Sequence, residues 1–346
     1  MSDIVAGSST VPAAGQSGVG AGPWKLAGRR LRRNRVATVM LGLLVVIVLA
    51  CLAAPFYARY VAHTNPFQSN LDGTTIVNGK RVPIMQSESA GLGLGVTPIG
   101  PTWDPRHYLL GADNQGRDVA ARILYGGRNS LLIAVAAALL TCFLATIIGL
   151  VAGFFGGAID GVLSRLLDVV WAFPVYLLAI CLSTVLLTQG ISLGPLRIEA
   201  GSLWVPIVII GLVYVPYVAR PIRGEVLSLR QREFVEAAIG LGASTPRLLW
   251  SDVLPNVITT VIVFFPLMIA INMLTEAALS FLSIGVQPPD ASWGTIILDG
   301  QGLLYTRPAV ALAPGIAIAL TVLALNVLGD GVRDALDPRA KLRSSG

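Results

Sequence analysis

The sequence contains little charge. Asp, Glu, Lys and Arg make up 13% of its 346 residues, whereas soluble domains usually carry about 25%. Hydrophobic residues account for 54% of the chain, and the mean hydropathy is +0.72. This composition indicates an integral membrane protein with several apolar segments.

The chain also lacks the motifs of the common catalytic and nucleotide-binding sites. It has no Gly-x-x-x-x-Gly-Lys-Ser/Thr segment to surround nucleotide phosphates, no His-Glu-x-x-His and no Gly-x-Ser-x-Gly. We therefore predict no catalytic site and no cofactor, and the chain is expected not to be an enzyme. The net charge of +6 is better explained by membrane orientation than by a nucleic-acid partner.

Cysteine and histidine are scarce. Cys51, Cys142 and Cys181 all lie in apolar runs, so neither a disulfide nor a metal site is expected. The two histidines, His63 and His107, are isolated in one polar loop and are expected at the surface.

Six segments are apolar for long enough to cross the roughly 30 Å hydrocarbon core of a bilayer, which takes about 20 helical residues. They are residues 36–56, 130–155, 169–187, 203–218, 257–281 and 310–328. The fourth contains Pro206 and Pro216 and is predicted to be kinked or tilted. A cleaved signal peptide is the alternative for the first, but that apolar run is longer than the usual 7–15-residue core.

The distribution of Lys and Arg predicts the orientation. Fifteen of the 25 basic residues lie in the N-terminal tail 1–35, the loop 220–256 and the C-terminal tail 331–346. With six spans these regions share one side, so both termini are predicted to be cytoplasmic in the cell (inner) membrane. The Gly-, Ser-, Ala- and Pro-rich segment 1–23 is predicted to be disordered.

The loop 57–129 is predicted to be extracytoplasmic. Within residues 74–84, Asn78 and Gly79 suit a type I′ turn between β-branched residues, which predicts a small β-hairpin. Pro83 indicates an edge strand. The loop has few large apolar side chains, so it is expected to cap the membrane domain and not to fold as a separate enzyme.

The loop 220–256 carries Glu236-Ala237-Ala238, Gly242 and Leu254-Pro255. This pattern resembles the EAA loop of ABC-importer permeases, which implies a cytoplasmic coupling element that docks on an ATPase. Residues 228–241 are predicted to form a short helix, and Gly242 suits its left-handed end. Ser244 is predicted to cap a second helix, and Pro255 is expected to mark the return to the membrane.

Three further stretches, 110–131, 281–294 and 326–339, extend the likeness. Together with the EAA loop they are similar to the second (C-type) permease subunit of the dipeptide/oligopeptide/nickel branch of ABC importers. The resemblance implies a second homologous permease, two ABC ATPase subunits, an extracytoplasmic substrate-binding protein and membrane lipid as partners. It implies peptide cargo, with nickel chelate, glutathione or oligosaccharide as alternatives.

Two acidic residues fall near or within the spans: Asp168 and Glu276. A charge in the membrane is costly and is usually paired or functional. Arg165 lies three residues before Asp168, which favours a structural pair over a role in the substrate path. Glu276 has no basic residue nearby and is expected to face the bundle interior, in either a structural or a pathway role. An ion-coupled secondary transporter is the alternative from another class, although it would require more such acids.

The sequence thus predicts an all-α integral membrane protein with six transmembrane helices. Its parts are a tail 1–35, a first span 36–56, a cap 57–129, a permease core 130–330 and a tail 331–346.

Overall fold

The computed structural model describes residues 23–77, 79–87, 95–193, 196–199 and 201–336. Nearly all of the predicted disordered segment 1–23, the hairpin residue Asn78 and the end of the C-terminal tail lie outside the described residues. The described chain is mostly helical. The helices are α1 (Pro23–Arg33), α2 (Arg35–Leu52), α3 (Ala54–Phe56), α4 (Val119–Phe155), α5 (Gly157–Trp171), α6 (Val175–Gln189), α7 (Trp204–Val213), α8 (Val215–Arg230), α9 (Glu233–Gly240), α10 (Thr245–Arg247), α11 (Leu254–Phe281), α12 (Trp293–Gly300) and α13 (Ala309–Leu336).

Four helical segments are each long and apolar enough to cross a membrane: Arg35–Leu52, Val119–Phe155, Thr245–Phe281 and Ala309–Leu336. Two bent pairs, α5 with α6 and α7 with α8, would bring the number of spans to six if each pair is one crossing. The described residues therefore contain four to six candidate spans.

The predicted third span, 169–187, is not one continuous helix. α5 ends at Trp171, Pro174 stands before the first residue of α6, and the two helices meet at 85°. A proline disfavours helical geometry in the residue before it, here Phe173, so the chain turns at this point. The kink predicted in the fourth span is confirmed, since α7 and α8 meet at 42° two residues before Pro216.

The second and sixth spans are longer than predicted. α4 begins at Val119, eleven residues before the predicted start at residue 130, so the loop assigned to 57–129 ends at Asp118. The charge-free run in the sequence does not include this part of α4, because it contains Arg122 and Arg128. Arg122 lies buried in the helix among carboxylates. α13 likewise continues to Leu336, past the predicted end at residue 328.

Small residues bring the central helices together. A Cβ added to Gly149 would lie 2.5 Å from Ile222, and one added to Gly153 would lie 2.7 Å from Val226. Because these glycines have no side chain, α4 can approach the backbone of α8, as helices with small residues do in membranes. α11 and α13 also pack on this core, and α2 lies along α13.

The described part of the loop between α3 and α4 contains two small antiparallel sheets. β1 (Thr74–Val77) pairs with β2 (Lys80–Pro83), and β3 (Met85–Ser87) pairs with β4 (Val96–Pro98). A third pair, β5 (Ile191–Leu193) and β6 (Leu196–Ile198), follows α6. Ile84, Ile99, Tyr108 and Ala112 form a separate small core beneath the first two sheets. This part of the loop therefore has a small core of its own.

Candidate functional site

The segment between α8 and α11, residues 231–253, is called the coupling segment below. Its first arm is α9, which begins three residues after α8 ends. The predicted single helix 228–241 is therefore wrong in its start: Gln231 and Arg232 interrupt it, with Arg232 in an extended conformation as N-cap of α9. The interruption lets α9 leave the direction of α8.

Gly242 ends α9 in the left-handed conformation predicted from the sequence, with φ of 79°. The Gly242 N–H donates to the Ile239 carbonyl at 2.9 Å, and the Ala243 N–H donates to the Ala238 carbonyl at 3.0 Å. These two bonds form a Schellman motif, which satisfies the last carbonyls of the helix and fixes the exit direction. A Cβ at Gly242 would meet no atom within 4 Å, so the backbone angle, and not space, is what calls for glycine.

α9 is attached by one fully buried side chain and presents most of the others outward. Val235 is fully buried, whereas Phe234, Ile239 and Leu241 are exposed by 46%, 50% and 89%. Glu236 and Ala237 also lie on the exposed surface, and Ala238 is half-buried. Exposed apolar side chains grouped on one short helix are typical of a contact surface for another protein.

The second arm of the coupling segment is continuous with α11. Ser244 is the N-cap of α10 as predicted, but its side chain makes no capping hydrogen bond. A π-helical turn, Leu248–Val253, follows and leads directly into α11. Leu254 and Pro255 therefore belong to one unbroken helical rod, and not to a boundary between a loop and a span.

The wide π turn fits the proline that follows it. Pro255 has no N–H, and its ring would crowd the carbonyl four residues earlier in a regular α-helix. Leu248 and Val253 are buried and hold the turn against the core, while Trp250 is 72% exposed. π turns occur often at functional positions, and this one joins the coupling segment to a membrane helix.

Two ion pairs tie α5 to α8, the helix that leads into the coupling segment. Arg223 donates to both carboxylate oxygens of Asp160, with Nη2 2.6 Å from Oδ2. Arg220 Nη2 donates to Asp168 Oδ1 at 2.8 Å. The prediction that Arg165 pairs with Asp168 is wrong. The partner is Arg220 of α8, which lies 52 residues further along the chain. Asp168 is 65% exposed at its side chain, so it is not a buried membrane charge.

Glu276 lies in the bundle interior, as expected, and is fully buried. Its Oε2 accepts a hydrogen bond from Ser130 Oγ of α4 at 2.9 Å, and its Oε1 accepts one from Ser280 Oγ at 2.6 Å. Within the described residues no Arg, Lys or His side chain forms an ion pair with it. The carboxyl group thus joins two helices through hydroxyl groups.

The same hydroxyls hold the chain that follows α11. Ser130 Oγ accepts from the Trp293 N–H at 3.1 Å, and Ser280 Oγ accepts from the Val286 N–H at 3.0 Å. α12 comes so near that a Cβ on Gly294 would lie 2.5 Å from the Ala277 carbonyl oxygen. We call Glu276, Ser130, Ser280 and these two N–H groups the Glu276 network. It locks α12 onto α4 and α11.

A cluster of four charges near the start of α4 was not singled out by sequence reasoning. The carboxylates of Asp113 and Asp299 each accept hydrogen bonds from both Arg117 and Arg122. The Arg117 nitrogens lie 2.8 Å from Asp113 Oδ2 and 2.9 Å from Asp299 Oδ2, and Arg122 Nη1 lies 2.7 Å from Asp299 Oδ2. Asp113 and Arg122 are buried. The Asp and Arg residues just before an apolar span could have indicated this cluster. They could not have indicated Asp299, because that residue lies far along the chain. The cluster ties the cap to α12.

Asp118 is the N-cap of α4 and lies beside this cluster. Its Oδ1 accepts from the Ala121 N–H at 3.1 Å and caps the helix. Burial raises the pKa of Asp118 to about 6, an effect opposed by backbone N–H groups and the Thr64 hydroxyl and reinforced by the charge of Asp113.

The structure does not bring the predicted site residues together in one place. Glu276 lies 22 residues after Leu254 on α11, which is about 33 Å along a helix axis and roughly the thickness of the hydrocarbon core. Glu236, Gly242 and Pro255 therefore lie towards one end of the membrane domain and Glu276 towards the other. Among the described residues no group of three or more His, Cys, Asp and Glu side chains is placed to hold a metal ion.

Known proteins resemble the chain over nearly its whole length. Residues 145–342 match the family described as the binding-protein-dependent transport system inner membrane component. Residues 22–72 match the N-terminal TM domain of oligopeptide transport permease C.

Several curated relatives are 34–36% identical to the chain. A putative peptide transport system permease protein of Brucella abortus is 36% identical over 94% of this chain and 95% of the relative. The glutathione transport system permease protein of Pectobacterium atrosepticum is 34% identical over 92% of each chain. The oligopeptide transport system permease protein of Bacillus subtilis is 34% identical over 92% of this chain and 90% of the relative. A chain of the MetNI methionine ABC transporter in an inward-facing conformation aligns with a TM-score of 0.49 at 16% identity, covering 62% of this chain and 96% of that one.

Proposed function

This chain belongs to the family of binding-protein-dependent transport system inner membrane components, and we propose that it forms part of a membrane pathway for peptides. It is a non-catalytic permease subunit of an ABC importer, and the ATPase is a separate subunit. Relatives named for peptide, oligopeptide and glutathione transport support peptide-like cargo, since glutathione is itself a modified tripeptide. Nickel chelate and oligosaccharide remain the alternatives to be tested.

The coupling segment is the proposed contact with an ATPase subunit. The observation that carries this proposal is the exposure of Phe234 and Ile239 on α9 and of Leu241 just after it. Buried Val235 holds this helix, and Gly242 ends it. Glu236, Ala237 and Ala238 form the docking surface. Leu254 and Pro255 transmit its movement, because α11 continues the second arm without a break.

Each bent helix pair is proposed to be one crossing, which gives six spans. An even number places both termini on one side of the membrane, and the Lys and Arg of the tails and the coupling region assign that side to the cytoplasm. The cap then faces the extracytoplasmic side, where a substrate-binding protein delivers cargo. A second homologous permease completes the pathway, and membrane lipid surrounds both.

Asp168 and Glu276 are assigned structural roles. Asp168 ties α5 to α8 through Arg220, so it supports the helix that carries the coupling segment. Glu276 positions α12 through the Glu276 network. Both assignments favour an ATP-driven permease over an ion-coupled transporter, for which a buried acid would carry protons or cations.

The test of ATPase docking uses the assembled importer with Gly242→Arg. The substitution strains a backbone at φ of 79° and adds a long charged side chain next to the docking surface. We expect peptide uptake and ATPase co-purification to fall strongly while membrane insertion persists. Gly240→Ala is the matched control, since a Cβ there meets no atom within 4 Å. Normal uptake and normal ATPase recovery with Gly242→Arg would refute the docking role.

The cargo is tested separately by competition. A radiolabelled tripeptide should be taken up by proteoliposomes that contain the complete importer and its binding protein, and unlabelled di- and tripeptides should compete. Competition by nickel chelates or oligosaccharides, but not by peptides, would replace the cargo assignment and leave the permease assignment intact.

A further inference from the structure

A polar cleft of about 520 Å³ opens between the cap, the start of α4 and α12. This volume is typical of a site for a small molecule, which takes roughly 300–1,000 Å³. One wall is the loop that follows α11, residues 283–290, and the Glu276 network holds this loop through the Val286 N–H. Arg117 and Arg122 also line the cleft. The coupling of the permease to its ATPase gives these two arginines no role.

Arg122 is the most buried charged side chain of the lining, with 3% of its surface exposed. Its Nη1 donates to the carboxylates of both Asp113 and Asp299. Its Nε is buried and has no hydrogen-bond partner among the described residues. An unpaired buried donor is costly, so a ligand that accepts a hydrogen bond from it gains affinity.

The free nitrogen belongs to the edge of the guanidinium that binds carboxylates best. Nε–H and the Nη2–H beside it point the same way and form a fork, which grips the two oxygens of a carboxylate through parallel hydrogen bonds. Arg117 uses this edge within the protein, since its Nε lies 2.8 Å from Asp113 Oδ2 and its Nη2 lies 2.9 Å from Asp299 Oδ2. Arg122 makes its ion pairs from Nη1, so its fork is left for a carboxylate from outside.

The charges around the fork favour a zwitterion over a simple anion. The two arginines and two aspartates of the cluster cancel in formal charge, so a plain anion gains nothing from their sum. Asp290 also lines the cleft; its side chain is exposed and forms no ion pair with a described residue. A ligand with a carboxylate for Arg122 and an ammonium group for Asp290 carries its own compensating charge.

The rest of the lining suits amino-acid side chains. Phe67, Pro289 and Leu298 offer apolar contacts, and Thr295 offers a hydroxyl. A buried fork, an exposed carboxylate and apolar walls together match a short peptide with free ends. The carboxylate at the end of such a chain can enter a cleft and reach a buried group.

We propose that this cleft binds a short peptide, with its C-terminal carboxylate on the Nε–Nη2 edge of Arg122 and its N-terminal ammonium group towards Asp290. The inference rests on the proposed function, which assigns peptide cargo and places the cap on the extracytoplasmic side. The cleft is then the place where the permease receives cargo that the substrate-binding protein releases.

The test is photolabelling of the assembled importer in nanodiscs, without the binding protein, by a tripeptide that carries a diazirine on its central side chain. Digestion and mass spectrometry should find the label concentrated on residues 115–122 and 283–299. Unlabelled tripeptide should suppress the label. Its C-terminal amide should compete at least about tenfold more weakly, because it loses the charge-assisted pair with the fork. Acetate and sulfate at the same concentration should leave the label unchanged, since they lack the ammonium group.

Two variants separate the two ends of the ligand. Arg122→Lys keeps a positive charge but removes the fork, and should reduce the label to background. Asp290→Asn alters an exposed residue, so the importer should still assemble; it should abolish the advantage of the free tripeptide over the N-acetylated tripeptide in competition. Asp104→Asn is the matched control, because Asp104 is an exposed acid of the cap outside the cleft lining, and it should change neither label nor competition.

Two results with the wild-type importer would overturn the proposal, and they decide it even if Arg122→Lys fails to assemble. One is equal competition by the tripeptide and its amide. The other is label no denser on residues 283–299 than on the outer hairpin, residues 74–83, as a water molecule alone at Arg122 Nε would give. Where the same importer still takes up peptides, either result removes the cleft assignment alone. Where it takes up none, the cargo assignment fails with it.

Discussion

Replacement of Glu276 separates a structural role from a role in the transport path. Glu276 accepts one hydrogen bond at each carboxyl oxygen, from Ser130 and from Ser280, and each of these hydroxyls accepts a backbone N–H. Glu276→Ala leaves two buried hydroxyls without their acceptor, at about 1–3 kcal/mol for each. It also opens a cavity in a fully buried position. We expect a total loss of about 3–5 kcal/mol of stability.

Glu276→Gln has nearly the same shape and retains one acceptor oxygen. Its amide group can donate to the second serine oxygen, so that only one hydroxyl must find a new acceptor, at about 1 kcal/mol. Because the network uses the carboxyl group for hydrogen bonds and not for an ion pair, uptake should remain near the wild-type value. Thermal unfolding of the purified importer and peptide uptake in proteoliposomes are the two measurements.

The combination of outcomes decides between the roles. A strong loss of uptake in Glu276→Gln with unchanged melting temperature would refute the structural assignment and favour a proton or cation path. An unchanged melting temperature in Glu276→Ala would show that the network does not hold α12. Ser280→Ala is a useful companion, since it removes one of the two donors and should cost less than Glu276→Ala.

Three further predictions concern other parts of the chain. Asp160→Asn should lower stability by about 1 kcal/mol and Asp168→Asn by less than about 0.5 kcal/mol. The reason is that the Asp160–Arg223 pair is bidentate and half-buried, whereas the Asp168–Arg220 pair is exposed. Equal losses in thermal unfolding would contradict this order. A cysteine at exposed Lys80 should react with an impermeant thiol reagent in intact cells, and one at exposed Ser244 should not; the reverse pattern would invert the topology. The folded-state pKa of Asp118 is raised from 3.8 to about 6, so its contribution to stability is present below about pH 4 and lost as the pH rises through about 6, by up to about 3 kcal/mol. Asp118→Asn keeps the helix cap and should remove this part of the pH dependence; an identical dependence in both proteins would rule out the assignment.

Local features of the sequence determined several parts of the structure. The apolar runs indicated the membrane helices, because a bilayer requires a long uncharged helix wherever the chain crosses it. Pro216 indicated the bend between α7 and α8, and Gly242 indicated the end of α9, because each acts on its own backbone. The pattern from Glu236 to Pro255 indicated the family, although its docking role remains a prediction.

The tertiary structure decided how the charges are partnered. Arg165 was the nearest cation to Asp168 along its own helix, yet Arg220 of α8 is the partner. Asp299 reaches Arg117 and Arg122 from the far part of the chain, and Ser130 reaches Glu276 across 146 residues. Buried charges and hydroxyls must find partners in space, because leaving them unpaired costs several kcal/mol. Spacing along the chain limits which partners are near on one helix, but only the packing of several helices fixes which groups meet.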